Sequence, residues 1–296
     1  MNDPALVLVS YGSHGVVELP GGERRECKFR RSVGRPLCGD QVMIGQADQA
    51  SSVVMEILPR DNEFARASPR GQRQPIAANL DQVLIVVAPV PEPSRDLLER
   101  YLVAVHSLGV RPLIVLNKVE RMAEAALADD SPLHRLDQYR ELGYPVLTTS
   151  CKGAPGIEAL PPVLEARTSI LVGQSGVGKS SLANALLPDL DLQTGALSRV
   201  TGKGTHTTTT TVMYRLPCGG RLIDSPGVWE YGLWEMSQQE LAYGFREFEP
   251  FSGDCRFNDC HHASEPGCAI QAAVEAGAIR EWRYRSYLRL LQQTVG

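Results

Sequence analysis

Eight consecutive residues carry the strongest chemical signal in the sequence. From Gly173 to Ser180 they fit the pattern G-x-x-x-x-G-K-[ST] at every fixed position. A predicted strand at Ser169–Val172 precedes them and a predicted helix follows from Ser181, which is the context that this pattern requires. Glycines turn backbone N–H groups toward phosphate oxygens, the lysine neutralises the outer phosphates, and the serine hydroxyl binds Mg²⁺. The pattern therefore predicts a nucleoside triphosphate site at Gly173, Gln174, Ser175, Gly176, Val177, Gly178, Lys179, Ser180 and Ser181.

Two further segments match motifs that read a guanine base. The first, Asn-Lys-Val-Glu, follows the apolar run Leu113–Leu116 and resembles the Asn-Lys-x-Asp motif of GTPases, in which a carboxylate accepts hydrogen bonds from guanine. A buried polar pair of this kind discriminates strongly, because the wrong base leaves it unpaired. An ordinary strand-to-helix turn is the alternative. The second segment, Ser-Cys-Lys, resembles the loop that packs against guanine. We expect the two segments to bind the base through Asn117, Lys118, Val119, Glu120, Ser150, Cys151 and Lys152.

Asp224-Ser225-Pro226-Gly227 fits the Asp-x-x-Gly motif. In that motif the Asp binds Mg²⁺ through water and the N–H of the Gly, here Gly227, reaches the γ-phosphate. A threonine of the run 207–211 can also bind Mg²⁺ and sense the γ-phosphate; we expect Thr208, with Thr207 as the alternative. The predicted Mg²⁺ ligands are therefore Ser180, Thr208 and, through water, Asp224.

The residue after this motif bears on how water is positioned for hydrolysis. Many GTPases place a Gln there to orient the attacking water, but this chain has Val228, which can neither donate nor accept a hydrogen bond. His206 is the best candidate by chemistry, since a neutral imidazole can orient or polarise water. A surface histidine in a loop is the alternative. We therefore expect His206 to be the catalytic residue.

The order of the motifs differs from that of an ordinary GTPase. The base-reading residues Asn117 and Ser150 precede the phosphate loop (Gly173–Ser180) instead of following Asp224. The sheet is therefore predicted to be circularly permuted, which nearby chain termini make tolerable. The Asp224–Gly227 motif then lies at the C-terminal end of its domain, so that nucleotide state can be transmitted to the residues that follow.

A second chemical cluster has the form Cys-x4-Cys-x-His-x5-Cys, between residues 255 and 268. Three thiolates and one imidazole suit a closed tetrahedral structural Zn²⁺. Spacing alone does not decide between His261 and His262, and buried or disulfide-bonded cysteines are the alternative. The remaining four cysteines show no ligand spacing and are expected to be packing residues: Cys27, Cys38, Cys151 and Cys218.

The elements that position these residues divide the chain into three parts. Five short strands between Leu6 and Leu58, with no helical period, suggest a small closed barrel such as an OB-fold, and an arbitrary small β-domain fits the pattern equally well. The segment Arg60–Pro75 is predicted to be a linker or mobile loop. From Gln82, apolar strands alternate with helices, among them one around Ser131–Leu142, which indicates a parallel sheet covered on both faces. We predict an all-β OB-fold RNA-binding domain at residues 1–68, an α/β P-loop GTPase domain at 69–234 and a mostly helical zinc domain at 235–296.

The composition of the chain excludes several classes of protein. With 43% hydrophobic and 22% charged residues, the 296-residue chain is that of a folded protein and not of a disordered tail. The longest apolar stretch, Val83–Val90, is far shorter than the ~20 residues that cross a membrane, and no signal peptide is recognisable. We therefore expect a cytosolic protein with no membrane partner.

The net charge of −4 is a total for the whole chain and conceals two basic stretches. Each stretch is a candidate RNA contact, and the alternative is that it is only a solvated face. The first lies in the predicted barrel and the second near the C-terminus. They consist of Arg24, Arg25, Lys28, Arg30, Arg31 and Arg35, and of Arg280, Arg283, Arg285 and Arg289.

Taken together, these motifs resemble the RsgA family of GTPases that depend on the small ribosomal subunit. The residues that carry the resemblance are 117–120, 173–181, 203–209, 224–227 and 245–268, and they extend over nearly the full length. The family's pattern selects His262 beside Cys255, Cys260 and Cys268, and it points to His206 as well. Glu120 in place of Asp, and Thr205 before His206, depart from it.

The resemblance implies GTP hydrolysis stimulated by the small ribosomal subunit, late in the assembly of that subunit. It implies docking of the OB-fold and zinc domain on rRNA, release on hydrolysis, one structural Zn²⁺, Mg²⁺ with GTP, and a cytoplasmic monomer. A GTPase acting on another RNA or ribonucleoprotein is one alternative, and a nucleotide-gated RNA-binding module with negligible turnover is another. A P-loop kinase or ATPase would leave Asn117, Lys118 and Ser150 without a purpose.

Overall fold

The computed structural model describes residues 3–48, 51–67, 73–188, 211–224 and 236–294. The first five strands form a closed barrel in the order β1-β2-β3-β5-β4, with β4 pairing back onto β1. Strands β3 and β5 are parallel and the other neighbours are antiparallel. The strands are β1 (Asp3–Ser10), β2 (His14–Glu18), β3 (Arg24–Phe29), β4 (Gln41–Asp48) and β5 (Ser51–Ile57). The predicted OB-like barrel is confirmed.

Alternation of apolar and polar residues explains the barrel core. Val7, Val17, Cys27, Val42 and Val54 are all buried inside it, because one face of each strand points inward. The third strand ends earlier than predicted, at Phe29, and a 3₁₀ turn at Arg31–Val33 follows it.

The segment Arg60–Pro75 is not the linker that its composition suggests. It contains β6 (Glu63–Ala67) and the start of β7 (Arg73–Ala78), which pair antiparallel. Phe64 opposes Ala77 in this register and both are buried. The prediction was wrong because the charges in this segment are paired: Arg60 and Arg73 both contact Glu63.

The central part is a mostly parallel sheet with the strand order β10-β9-β8-β11-β13-β12. Every residue of β8 is buried, as expected for a central strand covered on both faces. Only β12, which the sequence did not predict, runs antiparallel to its neighbour in this group. The strands are β8 (Gln82–Val87), β9 (Arg111–Leu116), β10 (Val146–Thr148), β11 (Thr168–Val172), β12 (Val212–Arg215) and β13 (Arg221–Asp224).

Helices cover this sheet. They are α1 (Leu97–Ser107), α2 (Leu136–Glu141), α3 (Leu160–Leu164) and α4 (Lys179–Leu186). The helix predicted at Ser131–Leu142 is a 3₁₀ turn at Pro132–Arg135 followed by the shorter α2.

The barrel and the central sheet are hydrogen-bonded to each other. Strand β1 pairs antiparallel with β12 at Val9 and Val212, which joins both parts into one eleven-stranded sheet. Beside this junction the buried carboxylate of Glu18 accepts hydrogen bonds from Arg215 (3.3 Å) and Arg221 (3.0 Å). The barrel is thus fixed to the two strands β12 and β13.

The C-terminal part is helical and packs against α1, one of the helices that cover the central sheet. Its helices are α5 (Gln238–Tyr243), α6 (Glu249–Ser252), α7 (Ala269–Glu275) and α8 (Glu281–Thr294). Ser237 and Glu240 form a capping box at the start of α5. The turn after α5 lies so close to α1 that a Cβ on Gly244 would sit 2.4 Å from Val103 Cγ1. Among the described helices, none has the length and apolarity needed to cross a membrane.

Candidate functional site

The phosphate loop follows the central strand β11 and ends at the start of α4. Two of its glycines are required by their surroundings. Gly173 has φ 143° and a Cβ there would lie 2.2 Å from the carbonyl oxygen of Val86. Gly178 has φ 99° and a Cβ there would lie 2.4 Å from Asn117 Nδ2. Side chains at these positions would push the loop away from β8 and from the base-reading segment.

Lys179 is the lysine of the phosphate loop and lies at the first position of α4. Its Nζ donates to the carbonyl oxygens of Gly173 (2.7 Å) and Gln174 (2.9 Å). Burial lowers the pKa of Lys179 to about 8, and the nearby carboxylate of Asp224 opposes that shift. A phosphate group beside this nitrogen would favour the charged form. The side chain is therefore suited to an anion at this end of the sheet.

Asn117 connects three segments that are far apart in the sequence. It is buried at the end of β9, its Nδ2 donates to the carbonyl oxygen of Val177 (2.9 Å), and its Oδ1 accepts from Thr149 Oγ1 (3.1 Å). Thr149 is fully buried at the end of β10. The two contacts fix the orientation of the amide between the phosphate loop and the Ser150–Lys152 segment.

Lys118 reinforces the same connection. It adopts a left-handed backbone conformation with φ 58°. Its Nζ donates to the carbonyl oxygens of Val90 (3.0 Å) and Gly176. The base-reading motif therefore contacts the phosphate loop through two consecutive side chains, which the sequence does not reveal.

Ser150 and Glu120, two residues of the predicted base site, lie beside each other. Ser150 is buried and its Oγ accepts from the backbone N–H groups of Lys152 (3.1 Å) and Gly153 (3.0 Å). Glu120 is exposed, and a side-chain hydrogen bond with Ser150 lowers the pKa of its carboxyl group. An ionised carboxylate held beside this loop has the chemistry needed to accept hydrogen bonds from guanine N–H groups.

The remaining predicted nucleotide residues are only partly within the described chain. Asp224 ends β13, next to the strand β11 that leads into the phosphate loop. Ser180 is exposed in the first turn of α4. His206, Thr207, Thr208 and Gly227 lie outside the described residues. Their roles stay predictions.

The Cys/His cluster (Cys255, Cys260, His262 and Cys268) forms in the C-terminal part. One ligand atom from each residue lies within 4.8 Å of all the others. His262 Nδ1 lies 3.5 Å from both Cys255 Sγ and Cys268 Sγ. A tetrahedral Zn²⁺ with bonds of about 2.3 Å to sulfur and about 2.05 Å to nitrogen would place these atoms roughly 3.5 Å apart. The donor set fits zinc, and it includes His262 and not His261.

Backbone hydrogen bonds hold this loop in shape. The carboxylate of Glu265 accepts from the N–H groups of His261 (3.1 Å), Ala263 (2.9 Å) and Ser264 (3.0 Å). Burial raises the pKa of this carboxyl group, but the backbone N–H donors outweigh burial and lower the pKa to about 2. The hydroxyl of Tyr284 on α8 donates to the carbonyl oxygen of His262 (2.8 Å). The cluster is thus linked to the last helix.

Of the four remaining cysteines, three are packing residues as predicted. Cys27 and Cys38 are buried, and burial raises the pKa of the Cys27 thiol to about 11. Cys218 is partly buried and packs against the core of the central sheet. The expectation was wrong for Cys151, which is exposed beside Ser150. A surface loop has no need of an apolar thiol for packing.

Each arginine of the second basic stretch pairs with a carboxylate. Arg283 is fully buried, lies 3.6 Å from the carboxylate of Glu99 on α1 and donates to Glu247. Its guanidinium also lies 4.5 Å from the ring centre of Phe245. Each of the other three arginines pairs with a carboxylate: Arg280 with Glu141, Arg285 with Glu281 and Arg289 with Asp96. Three of the four therefore connect α8 to the rest of the molecule, since only Arg285 pairs within its own helix.

The first basic stretch is divided in the structure. Arg24 and Arg25 contact Glu18 and Glu23, respectively. The other four cations are exposed at the end of β3 and just after it, and none pairs with a carboxylate of the described residues. They are Lys28, Arg30, Arg31 and Arg35.

Comparison with known proteins agrees with this geometry. The family model described as RsgA GTPase matches residues 57–234. A protein of Ectopseudomonas mendocina named "Small ribosomal subunit biogenesis GTPase RsgA" is 46% identical over 290 residues, which cover 97% of this chain and 84% of that protein. A Pseudomonas aeruginosa protein of the same name is 44% identical over 285 residues, covering 96% and 84%.

Two solved structures are similar over nearly their whole length. YjeQ from Thermotoga maritima superposes with a TM-score of 0.78 at 29% identity, covering 100% of this chain and 99% of that one. YloQ, described as a circularly permuted GTPase, superposes with a TM-score of 0.75 at 27% identity, covering 99% and 95%. The segments 117–120 and 150–152 precede the phosphate loop in the chain, as a circular permutation requires. The chain belongs to the RsgA GTPase family and is a circularly permuted GTPase, an enzyme that hydrolyses GTP.

Proposed function

We propose that this GTPase is an assembly factor of the small ribosomal subunit, which binds rRNA late in maturation and is released when it hydrolyses GTP. The observation that carries the proposal is the convergence of the base-reading segment, the phosphate loop and the Cys/His cluster in one chain. Relatives named for small ribosomal subunit biogenesis match 97% of that chain, so the likeness includes the barrel and the Cys/His cluster as well as the GTPase part.

Guanine selectivity comes from residues 117–120 and 150–152. The buried amide of Asn117 is held by Thr149 and Val177, and the carboxylate of Glu120 is held at the rim by Ser150. Adenine does not offer the N–H pair that this carboxylate accepts, so ATP leaves it unpaired. ATP competing equally with GTP would contradict this assignment and favour a kinase or ATPase.

The phosphates lie along Gly173–Ser181, with Lys179 neutralising the outer ones. Ser180, Thr208 and, through water, Asp224 hold Mg²⁺, which neutralises charge on the phosphates when it is bound. Gly227 donates its N–H to the γ-phosphate. His206 orients the attacking water, because Val228 has no polar atom in its side chain. Intrinsic hydrolysis is then slow, and hydrolysis stimulated by the small subunit is much faster.

Each of the three predicted domains has its own role in this proposal. The barrel within residues 1–68 presents cations to rRNA, the 69–234 domain switches with nucleotide, and the 235–296 domain is held by one structural Zn²⁺ on Cys255, Cys260, His262 and Cys268. Asp224 leads toward the last domain, so that hydrolysis alters its docking. We propose that the factor acts as a cytoplasmic monomer.

Hydrolysis of GTP with isolated small subunits, large subunits and tRNA tests the proposal. Stimulation by small subunits alone is expected, on the order of 10³–10⁵ by analogy with other activated GTPases. Equal stimulation by large subunits or tRNA would instead favour a GTPase acting on another ribonucleoprotein. The absence of turnover under single-turnover conditions with small subunits would favour a nucleotide-gated binding module.

Two variants test the assigned roles. His206→Ala is expected to keep GTP binding and to lose the stimulated rate, and an unaltered stimulated rate would remove His206 from the mechanism.

Replacing Arg30 and Arg31 together with Gln is expected to weaken subunit binding and to reduce its dependence on salt. An unchanged salt slope would count against the barrel as an rRNA contact.

A further inference from the structure

The barrel carries a pocket next to the β6–β7 hairpin that the GTPase activity does not use. It has a volume of about 550 Å³, which lies in the usual range for ligand sites. Apolar side chains form its walls, and most of them are only half-buried and so remain accessible. The wall residues are Val33, Leu37, Ile57, Leu58 and Pro75. We call this site the barrel pocket.

Buried polar contacts fix the shape of the barrel pocket. Arg60 donates two hydrogen bonds to the fully buried carboxylate of Asp40 (2.7 and 2.8 Å) and one to Glu63 (2.6 Å). It also donates to the carbonyl oxygen of Arg35 (3.2 Å), and the N–H of Leu37 donates to Asp40 (2.7 Å). Two carboxylates thus neutralise Arg60, and the wall between residues 35 and 37 is held in place before any ligand arrives.

The rim of the barrel pocket is cationic. Arg35 lines it, and Arg30 and Arg31 lie three and two residues before its wall residue Val33 in the sequence. These three arginines are exposed, and no carboxylate of the described residues pairs with them. An apolar interior beside clustered cations matches a ligand with a planar apolar group and an anionic backbone. A peptide with an apolar side chain would match the interior but not the charge.

We propose that the barrel pocket binds one unpaired nucleotide of RNA, with the base against Ile57 and Leu58 and the flanking phosphates on Arg31 and Arg35. This rests on the proposed function, because it takes RNA to be the partner of the barrel. Proteins recognise RNA mainly at unpaired bases, which can enter a pocket. The inference adds a base-binding position to an otherwise electrostatic contact.

Equilibrium binding of two labelled oligonucleotides tests the proposal. One is single-stranded RNA and the other is the same chain with abasic ribose units. The wild-type protein is expected to bind the first about tenfold more tightly. Leu58→Ser is expected to remove this preference. Met55→Ser should keep it, because Met55 lies on β5 three residues before Leu58, lines a different cavity and is 41% exposed.

Arg31→Gln provides the complementary result. It is expected to reduce the salt slope of binding by about one and to keep the preference for bases over abasic units. Thermal unfolding checks that each variant is folded, and Val33→Ser on another wall replaces Leu58→Ser if that variant does not fold.

Retention of the base preference in the folded pocket variant would overturn the proposal. So would a pocket variant that weakens binding to small subunits but not to RNA, since a protein side chain would then be the occupant. If small subunits fail to stimulate hydrolysis while Leu58→Ser abolishes the base preference, the proposed function fails and the barrel pocket stands.

Discussion

Asn117 Nδ2 donates a hydrogen bond of 2.9 Å to the carbonyl oxygen of Val177, a residue sixty positions away in the sequence. The acceptor belongs to the phosphate loop and the donor belongs to the base-reading motif. Their contact means that the two halves of the proposed nucleotide site form one hydrogen-bonded unit, although permutation has reversed their order in the chain. Damage to either half is therefore expected to affect the other.

Thr149 is predicted to be a positioning residue for guanine. Its hydroxyl is the described partner of Asn117 Oδ1, so Thr149→Val leaves a buried acceptor without that bond, which costs about 1–3 kcal/mol. GTP affinity, measured by titration with a fluorescent analogue, should fall by about 5- to 150-fold. Thr148→Val changes the neighbouring residue, which is exposed, and should bind as the wild type does. Equal affinity in both variants would show that Asn117 is positioned without Thr149.

Gly178 and Gly219 provide a matched pair for the phosphate loop. Both have positive φ, but a Cβ would meet Asn117 Nδ2 at 2.4 Å only at Gly178, whereas Gly219 has open space. Either substitution by Ala should lower the free energy of unfolding by about 1 kcal/mol through backbone strain. Only Gly178→Ala should also reduce GTP affinity, by at least about tenfold. Calorimetric titration with GTP distinguishes the two effects, and normal binding by Gly178→Ala would contradict the close approach.

Arg283 is predicted to hold the C-terminal helix to the GTPase part. Arg283→Met would leave Glu99 and Glu247 without their buried partner, a change that costs about 3–5 kcal/mol. Arg285→Met removes only an exposed pair within α8 and should cost less than about 1 kcal/mol. Denaturant unfolding measures both values. Similar small losses would mean that the apolar contacts of α8 suffice to hold it.

Removal of the metal is predicted to unfold the C-terminal part selectively. Cys268→Ser, or treatment with a chelator, should lower zinc content and increase amide hydrogen exchange in α7 and α8, because structural zinc sites contribute folding free energy. Cys218→Ser is the control, since Cys218 does not belong to the Cys/His cluster. Full zinc content in Cys268→Ser would exclude that thiol as a ligand.

Much of this architecture is predictable because local patterns and global topology agree. The buried run of β8, the phosphate loop and the spacing from Cys255 to Cys268 each depend on neighbouring residues in the sequence, and each is present as expected. The order of the motifs was enough to predict a permuted sheet. The barrel followed from five short strands without a helical period.

Other features depend on pairing between distant residues and could not be predicted. The segment of the β6–β7 hairpin looked like a linker because it is rich in charged residues. In the structure Arg60 and Arg73 both pair with Glu63, and the sequence does not show this pairing. Arg283 looked like part of a basic surface, but its partners lie on α1 and before α6. The sequence of a basic segment does not show which carboxylates its arginines contact in the folded protein.

The pairing of β1 with β12 has a practical consequence for studying the parts in isolation. A GTPase fragment without the barrel would open the edge of β12 at Val212, the residue that pairs with Val9, and would leave Arg215 and Arg221 without Glu18. Open edges of this kind recruit strands from other molecules. We therefore expect such a fragment to aggregate more readily than the whole chain, because the barrel covers this point of the edge.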